Sequence, residues 1–245
     1  MTSPAIEFRD VHRRLGAADV LAGVDLAVAP GETVALAGAN GAGKSTLIRA
    51  LLDLRAIDRG SIHLEGRAHT ERRVRERLAY LPERFQPPYY LRGRGFLDYM
   101  LALYGVRPAD APVDPTCGRL GLDRDALERP VQTYSKGMAQ LLGLAACLLS
   151  GRPLLVLDEP MSGLDPAARV RLQDALHERR RDGATTLFTT HLMADAAALA
   201  DRVAILDGGR IVAEGRTDEL VQRFEAPDLE TAFMKLVGAG GARLH

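Results

Sequence analysis

Lysine is scarce in this chain: of its 32 basic residues only Lys44, Lys136 and Lys235 are lysine, and the other 29 are arginine. The arginine excess reads as coding bias, and two of the three lysines fall inside motifs. An excess of charge of one sign is also missing, because 32 acidic residues balance the 32 basic ones. That balance excludes a supercharged coat for nucleic acid or membrane, so any partner has to be recognised by a local site. Only two cysteines are present, Cys117 and Cys147, with no histidine or cysteine beside either. Neither a disulfide framework nor a zinc site follows, and a reducing cytoplasm fits. The longest apolar run, Leu141 to Leu149 with one glycine inside it, falls far short of the ~20 residues that a membrane-spanning helix needs. The N-terminal MTSPAIEFRD shows no basic leader followed by an apolar stretch, and no signal peptide is expected there.

What is present is a foldable chain. Its 245 residues are 47% hydrophobic and 26% charged, a composition that excludes disorder and supports one domain carrying a sizeable insertion. Ile6 to Val11 alternates as a half-buried strand. After the turn at Pro30-Gly31 comes TVALAG, which leads through a glycine-rich segment into STLIRALLDL, with apolar residues at helical spacing. LLVLD at 154–158, TTLFTT at 185–190 and VAILD at 203–207 are short and unalternating, as buried parallel strands are. An α/β fold with an open sheet and helices on both faces is expected. Residues 83–135 break the rhythm with proline, glycine and helical patterns such as GFLDYMLALYG, and they read as an inserted helical subdomain. Seven of the twelve Phe and Tyr residues lie within 25 positions, from Tyr80 to Tyr104. They serve either as the core of that insert or as a docking surface, where aromatics are enriched. ERRVRER at 71–77 reads as a solvated helix face. Beyond residue 216, RTDELVQRF and LETAFMKLVGA are helix-like and GAGGARLH looks frayed.

GANGAGKST at 38–46 satisfies G-x-x-x-x-G-K-[ST] between a strand and a helix. In such a loop Gly38, Ala39, Asn40, Gly41, Ala42 and Gly43 curl their backbone N–H groups toward a phosphate. The helix beginning at Lys44, Ser45 and Thr46 adds its positive end. Lys44 would reach the β- and γ-phosphates, and Ser45 would offer its hydroxyl to Mg²⁺. LLVLDEP places two carboxylates at a strand end, Asp158 on the metal side and Glu159 as the base that orients or deprotonates a water. His191, after TTLFTT, would stand at the same rim, since ligands of open α/β sheets sit at the carboxyl ends of strands.

Further along the chain, YSKGM at 134–138 precedes the Asp-Glu strand and SGLD at 162–165 follows it. With YLPE at 80–83, this ordered set resembles the nucleotide-binding subunit of ATP-binding cassette (ABC) transporters over roughly residues 5–220. The resemblance implies a P-loop NTPase (RecA-like) core with a parallel sheet, an N-terminal antiparallel β subdomain and an inserted α-helical subdomain. The whole of 1–245 would be one domain: 1–82 and 136–215 form the nucleotide-binding core, 83–135 the helical subdomain, and 216–245 a C-terminal tail. It further implies ATP and Mg²⁺ as ligands and a head-to-tail pair of cassettes, as a homodimer or a cassette heterodimer. Ser135 and Gly137 of one cassette would contact the γ-phosphate held by the other, and Asp165 would help join the halves. Glu159 and His191 would be catalytic; Ser45, Asp158 and Glu83 would serve the metal.

Three positions depart from the family's usual pattern. Lys136 replaces the first of two signature glycines, as in exporter ATPases whose membrane domain is a separate chain. Glu83 replaces the Q-loop glutamine, and Leu15 before Gly16 stands where an aromatic usually stacks on adenine. The expected function is the ATPase subunit of an exporter at the cytoplasmic face of the cell membrane, driving a separately encoded integral-membrane permease, with no direct nucleic acid. A soluble cassette ATPase acting on nucleic acid or ribosomes is the alternative. A small P-loop kinase would leave YSKGM, SGLD and His191 without roles.

Overall fold

The structure, a computed structural model, describes residues 3–241. The chain divides into two compact units, one running to Arg75 and resuming at Thr185, the other spanning Glu76–Ala184. In chain order the first unit holds β1 (Ile6–Leu15), β2 (Ala18–Val28), β3 (Thr33–Ala37), α1 (Lys44–Leu51), β4 (Arg59–Leu64), β5 (Arg67–Ala68) and α2 (Arg72–Arg75). The second unit holds β6 (Leu78–Leu81), α3 (Gly93–Leu103), α4 (Val113–Leu120), α5 (Arg124–Glu128), α6 (Lys136–Leu149), β7 (Leu154–Asp158) and α7 (Pro166–Arg181). Back in the first unit come β8 (Thr185–Thr190), α8 (Met193–Leu199), β9 (Arg202–Asp207), β10 (Arg210–Gly215), α9 (Thr217–Arg223) and α10 (Leu229–Gly241).

Within the first unit, β2, β1, β4 and β5 form an antiparallel sheet in that order. Its inward positions, among them Ile6, Phe8, Leu21, Ile62 and Leu64, are buried. β1 runs past the alternating stretch Ile6–Val11 as far as Leu15, because register shifts between Phe8 and Val11, with Asp10 at φ 47°, carry the ladder across a broken alternation. In the same unit β3 pairs in parallel with β8 on one side and β9 on the other, and β10 closes an antiparallel edge on β9. All five residues of β3 are buried, as befits a strand covered on both faces. α1 stops at Leu51, short of the STLIRALLDL pattern, and leaves Leu54 69% exposed.

In the second unit β6 and β7 pair in parallel, Leu81 opposite Leu157. α6 is buried continuously from Gln140 to Leu149, so the longest apolar run of the chain is a core helix. Among the described residues no helix is long and apolar enough to cross a membrane. Residues 83–135 contribute α3, α4, α5 and two short 3₁₀ turns at Pro108–Asp110 and Val131–Thr133. The ERRVRER stretch is helical only over α2 and buries Val74. At the far end α10 continues through Gly241, into the stretch expected to fray; residues 242–245 lie outside the described residues.

Candidate phosphate-binding site

The first unit builds the candidate phosphate loop almost entirely from backbone. β3 ends at Ala37 between Thr190 of β8 and Ile205 of β9, and the Gly38 N–H donates to Thr190 O at 3.2 Å. The chain then curls and enters α1 through Gly43, which sits at φ 111° with no side-chain cap. A Cβ at Gly43 would lie 2.7 Å from Val20 O, and one at Gly38 would lie 2.3 Å from Leu206 O. Glycine is therefore demanded by close approach at both, and by handedness at Gly43. Lys44 is buried, and its Nζ donates to Gly38 O at 2.6 Å and Ala39 O at 3.2 Å. An ammonium thus lies along the loop's own carbonyls, while the first N–H groups of α1 lack intrahelical acceptors. Ala39, Asn40 and Gly41 are exposed, Ala42 is buried, and Ser45 and Thr46 are half-buried. No acidic residue occupies the first turn of α1, so nothing there repels an anion.

His191 follows β8 directly and is exposed. Its segment is fixed by Thr190, whose Oγ1 accepts the Leu192 N–H at 3.0 Å while Thr190 O accepts from Gly38. The first unit therefore brings His191 to the start of the phosphate loop. Leu15, at the tip of the β1–β2 hairpin, is 37% exposed.

The second unit gathers the other candidates, and it does so with side chains. Asp158 ends β7 and is buried; Glu159 follows, also buried, at φ 53°, a left-handed conformation uncommon outside glycine. The Glu159 carbonyl accepts from Ser162 N at 3.0 Å and from Gln140 Nε2 at 3.4 Å, the same amide nitrogen also reaching Pro160 O at 3.4 Å. Glu83, two residues beyond β6, is exposed and shares a cavity of about 670 Å³ with Tyr89, Ser135, Lys136 and Gln140.

Ser135 caps α6, its Oγ accepting from Met138 N at 3.1 Å, and Asp165 caps α7, accepting from Ala168 N at 2.8 Å. Such caps contribute about 1 kcal/mol each. Between the two helix starts the SGLD loop is locked against the YSKGM segment. Lys136 Nζ donates to Ser162 Oγ at 3.1 Å, and a Cβ at Gly137 would lie 2.8 Å from Gly163 O. Tyr134 anchors the segment from the other side, donating its hydroxyl to Ala126 O at 2.6 Å.

Each unit thus assembles its own part: loop 38–46 with His191 in one, and Glu83, Ser135, Gly137, Asp158, Glu159 and Asp165 in the other. Sequence reasoning missed Gln140. Its signal was a lone amide at the head of an apolar helix run, which must find partners once buried.

Comparison with known proteins bears on this arrangement. A family model described as ABC transporter matches residues 21–162. The chain is 38% identical over 224 residues to the daunorubicin resistance ATP-binding protein DrrA3 of Streptomyces coeruleorubidus, covering 90% of this chain and 71% of that protein. It is 37% identical over 205 residues to an uncharacterized ABC transporter ATP-binding protein, all4389, of Nostoc sp., covering 82% of this chain and 61% of that protein. The chain spans only about three fifths of the length of the cyanobacterial relatives it matches, 61% and 57%. A solved structure described as an ATP binding subunit of an ABC transporter superposes with a TM-score of 0.86 at 32% identity, covering 95% of this chain and 99% of that one.

Proposed function

The chain belongs to the ABC transporter family, and from that premise we propose that it binds and hydrolyses MgATP to drive a separate membrane-spanning permease. The observation that carries this reading is the buried Lys44 ammonium laid along a backbone loop that closes through left-handed Gly43. Loop 38–46 would hold the phosphates, with Lys44 moving from its carbonyls to the more basic β- and γ-phosphate oxygens. The residues assigned to magnesium carry donors of the kind it takes. Asp158 and Glu83 carboxylates and the Ser45 hydroxyl are hard oxygen ligands, too few for an all-protein cage. Mg²⁺ commonly takes one or two carboxylates beside phosphate oxygens and water. When bound, the ion neutralises charge on the phosphate oxygens.

Glu159 then orients the attacking water and accepts its proton, and His191 contacts the γ-phosphate. Ser135 and Gly137 close the site from a second cassette, identical or related, and Asp165 supports the junction. ATP thereby holds two cassettes together and its hydrolysis lets them part. In this reading residues 1–82 and 136–215 act as the nucleotide-binding core, 83–135 as the helical subdomain and 216–245 as a tail.

The permease would dock on the helical subdomain. Support comes from Tyr89, Tyr90, Tyr99 and Leu103, exposed at 70%, 73%, 54% and 63%, and from Tyr89 sharing a cavity with Glu83. Glu83 would report the state of the γ-phosphate to that face. This puts the chain at the cytoplasmic face of the membrane, held there by the permease. Export is favoured by YSKGM and YLPE and by relatives at 34% identity named for Nod factor export, although a relative at 37% identity is named for aliphatic sulfonate import.

The deciding experiment isolates the tagged chain from its native membranes and compares its ATPase activity with that of Glu159→Gln. Recovery of a polytopic membrane protein, with hydrolysis falling about 10²–10³-fold while ATP binding persists, is the expected result. A variant as active as the wild type removes Glu159 as base, and recovery of ribosomes or nucleic acid without a membrane protein removes the transporter reading.

A further inference from the structure

The three lysines of this arginine-rich chain share a habit: each ammonium donates to uncharged oxygen. Lys44 uses Gly38 O and Ala39 O; Lys235 uses Phe224 O and Glu225 O, at 3.1 and 2.8 Å, just beyond α9. Lys136 has the weakest hold, a single hydroxyl, Ser162 Oγ, at 3.1 Å. Among the described residues no carboxylate pairs with it. Its stem lies over Gly163, where a Cβ would meet Lys136 Cδ at 3.1 Å, and the residue as a whole is exposed. A compact ammonium on a flexible stem with one neutral partner can be drawn away by an anion, because opposite charges add Coulomb attraction to the hydrogen bond.

Its position decides which anion does so. Lys136 stands between Ser135 and Gly137, the two residues assigned above to the γ-phosphate of ATP held by a second cassette. Resting on that reading, we propose that Lys136 is a further nucleotide-binding residue. Within one chain it fastens the signature to the SGLD loop through Ser162. When the second cassette presents ATP it exchanges that hydroxyl for a γ-phosphate oxygen, releasing the loop as the dimer closes. The exchange breaks one ammonium–hydroxyl hydrogen bond and forms one ammonium–phosphate hydrogen bond between opposite charges, with no covalent change. Ser162 is therefore a competitor of the phosphate, and removing either partner must act in opposite directions.

The test measures the MgATP concentration that half-saturates dimerisation, by sedimentation velocity, in the Glu159→Gln chain. Lys136→Met keeps the stem on Gly163 and is expected to raise that concentration about tenfold. Ser162→Ala is expected to lower it about threefold, because it removes the competing acceptor. In the Lys136→Met background Ser162→Ala should then have no effect, a non-additivity that a loop-packing role would not produce. Lys136→Arg, which keeps the charge, should recover part of the loss. A Lys136→Met value within twofold of the parent, or a Ser162→Ala value unchanged or raised, overturns the proposal. A Glu159→Gln chain with Lys136 and Ser162 intact that stays monomeric at saturating MgATP overturns the paired-cassette reading itself, and this proposal with it.

Discussion

The proposed phosphate loop and the proposed signature segment are both glycine-bearing turns into a helix, yet they are built in different ways. Loop 38–46 is shaped by backbone: Gly38 and Gly43 are excluded from carrying a Cβ by Leu206 O and Val20 O, while Ala39, Asn40 and Gly41 face outward. Segment 134–140 is held by side chains, with Tyr134 on Ala126 O, Ser135 on Met138 N, Lys136 on Ser162 and Gln140 on the Glu159 turn. A backbone-built site tolerates variation at its outward positions and fails at its glycines and at its one charged side chain. A side-chain-built site degrades in steps, one bond at a time.

The comparison breaks most visibly at Lys44. Lys44→Ala is expected to lower kcat/KM for ATP by at least about 10³-fold, since it removes a cation from the place where charge develops. Asn40→Ala, at an exposed neighbour in the same loop, should stay within about twofold, the usual range for a surface change away from special features. Steady-state hydrolysis measured over ATP concentration separates the two. An Asn40→Ala loss comparable to that of Lys44→Ala would show that the loop is not backbone-built.

The stepwise character of the second region is tested at Gln140. Its amide is buried and supplies the side-chain bond to the turn that carries Glu159 at φ 53°. Gln140→Met keeps the length and apolar fit but leaves the Glu159 and Pro160 carbonyls without that donor. About a tenfold fall in kcat with little change in KM is expected, because the proposed base is displaced while the proposed phosphate loop is not. A rise in KM at constant kcat would mean that Gln140 serves nucleotide binding instead of the base.

These two regions also differ in how much of them could be read from sequence. The loop is contiguous and its chemistry depends on glycine spacing, so a nine-residue string conveys nearly all of it. β3, β7, β8 and β9 were equally legible, because fully buried strands such as LLVLD read as unbroken apolar runs. β4, by contrast, is RGSIHL with only Ile62 and Leu64 buried, and an alternation of two apolar residues is too short to announce a strand. The alternation of β1 is interrupted where Asp10 bulges. Gln140 with Glu159 and Lys136 with Ser162 join residues 19 and 26 positions apart, and Tyr134 reaches back eight positions to Ala126; no local pattern names such partners.

A smaller effect is expected at the base of the nucleotide. Leu15 at the hairpin tip offers an aliphatic surface where an aromatic ring would stack, and stacking on a ring contributes about 1–3 kcal/mol per base. Without it, discrimination between ATP and GTP should be weak, below about tenfold in competition binding, since a flat apolar contact reads neither base edge. Leu15→Tyr should tighten both nucleotides together. A strong preference in the unmodified chain would mean that a polar group elsewhere reads the base.

The smallest effect separates the two regions by pH. Both cysteines lie in the second unit, Cys117 in α4 and Cys147 in α6, and burial pushes each thiol from an ordinary 9.0 up to about 12. Between those values the unfolded chain releases the thiol protons while the folded chain keeps them. The unfolded state then binds fewer protons, and stability falls as pH rises above about 9. Burial raises the Tyr104 hydroxyl as well, so it adds to the same slope. A drop in thermal midpoint of roughly 5 °C between pH 8 and 10 is expected. Hydrogen exchange should locate the loosening in α4 and α6 before β3 or α1, which carry no thiol. Cys147→Ala should reduce the slope. A slope unchanged by that substitution would remove Cys147 as a contributor and leave the alkaline loss to Cys117 and the tyrosines of the same unit, while loosening that starts in β3 or α1 would remove the difference in pH sensitivity between the two units.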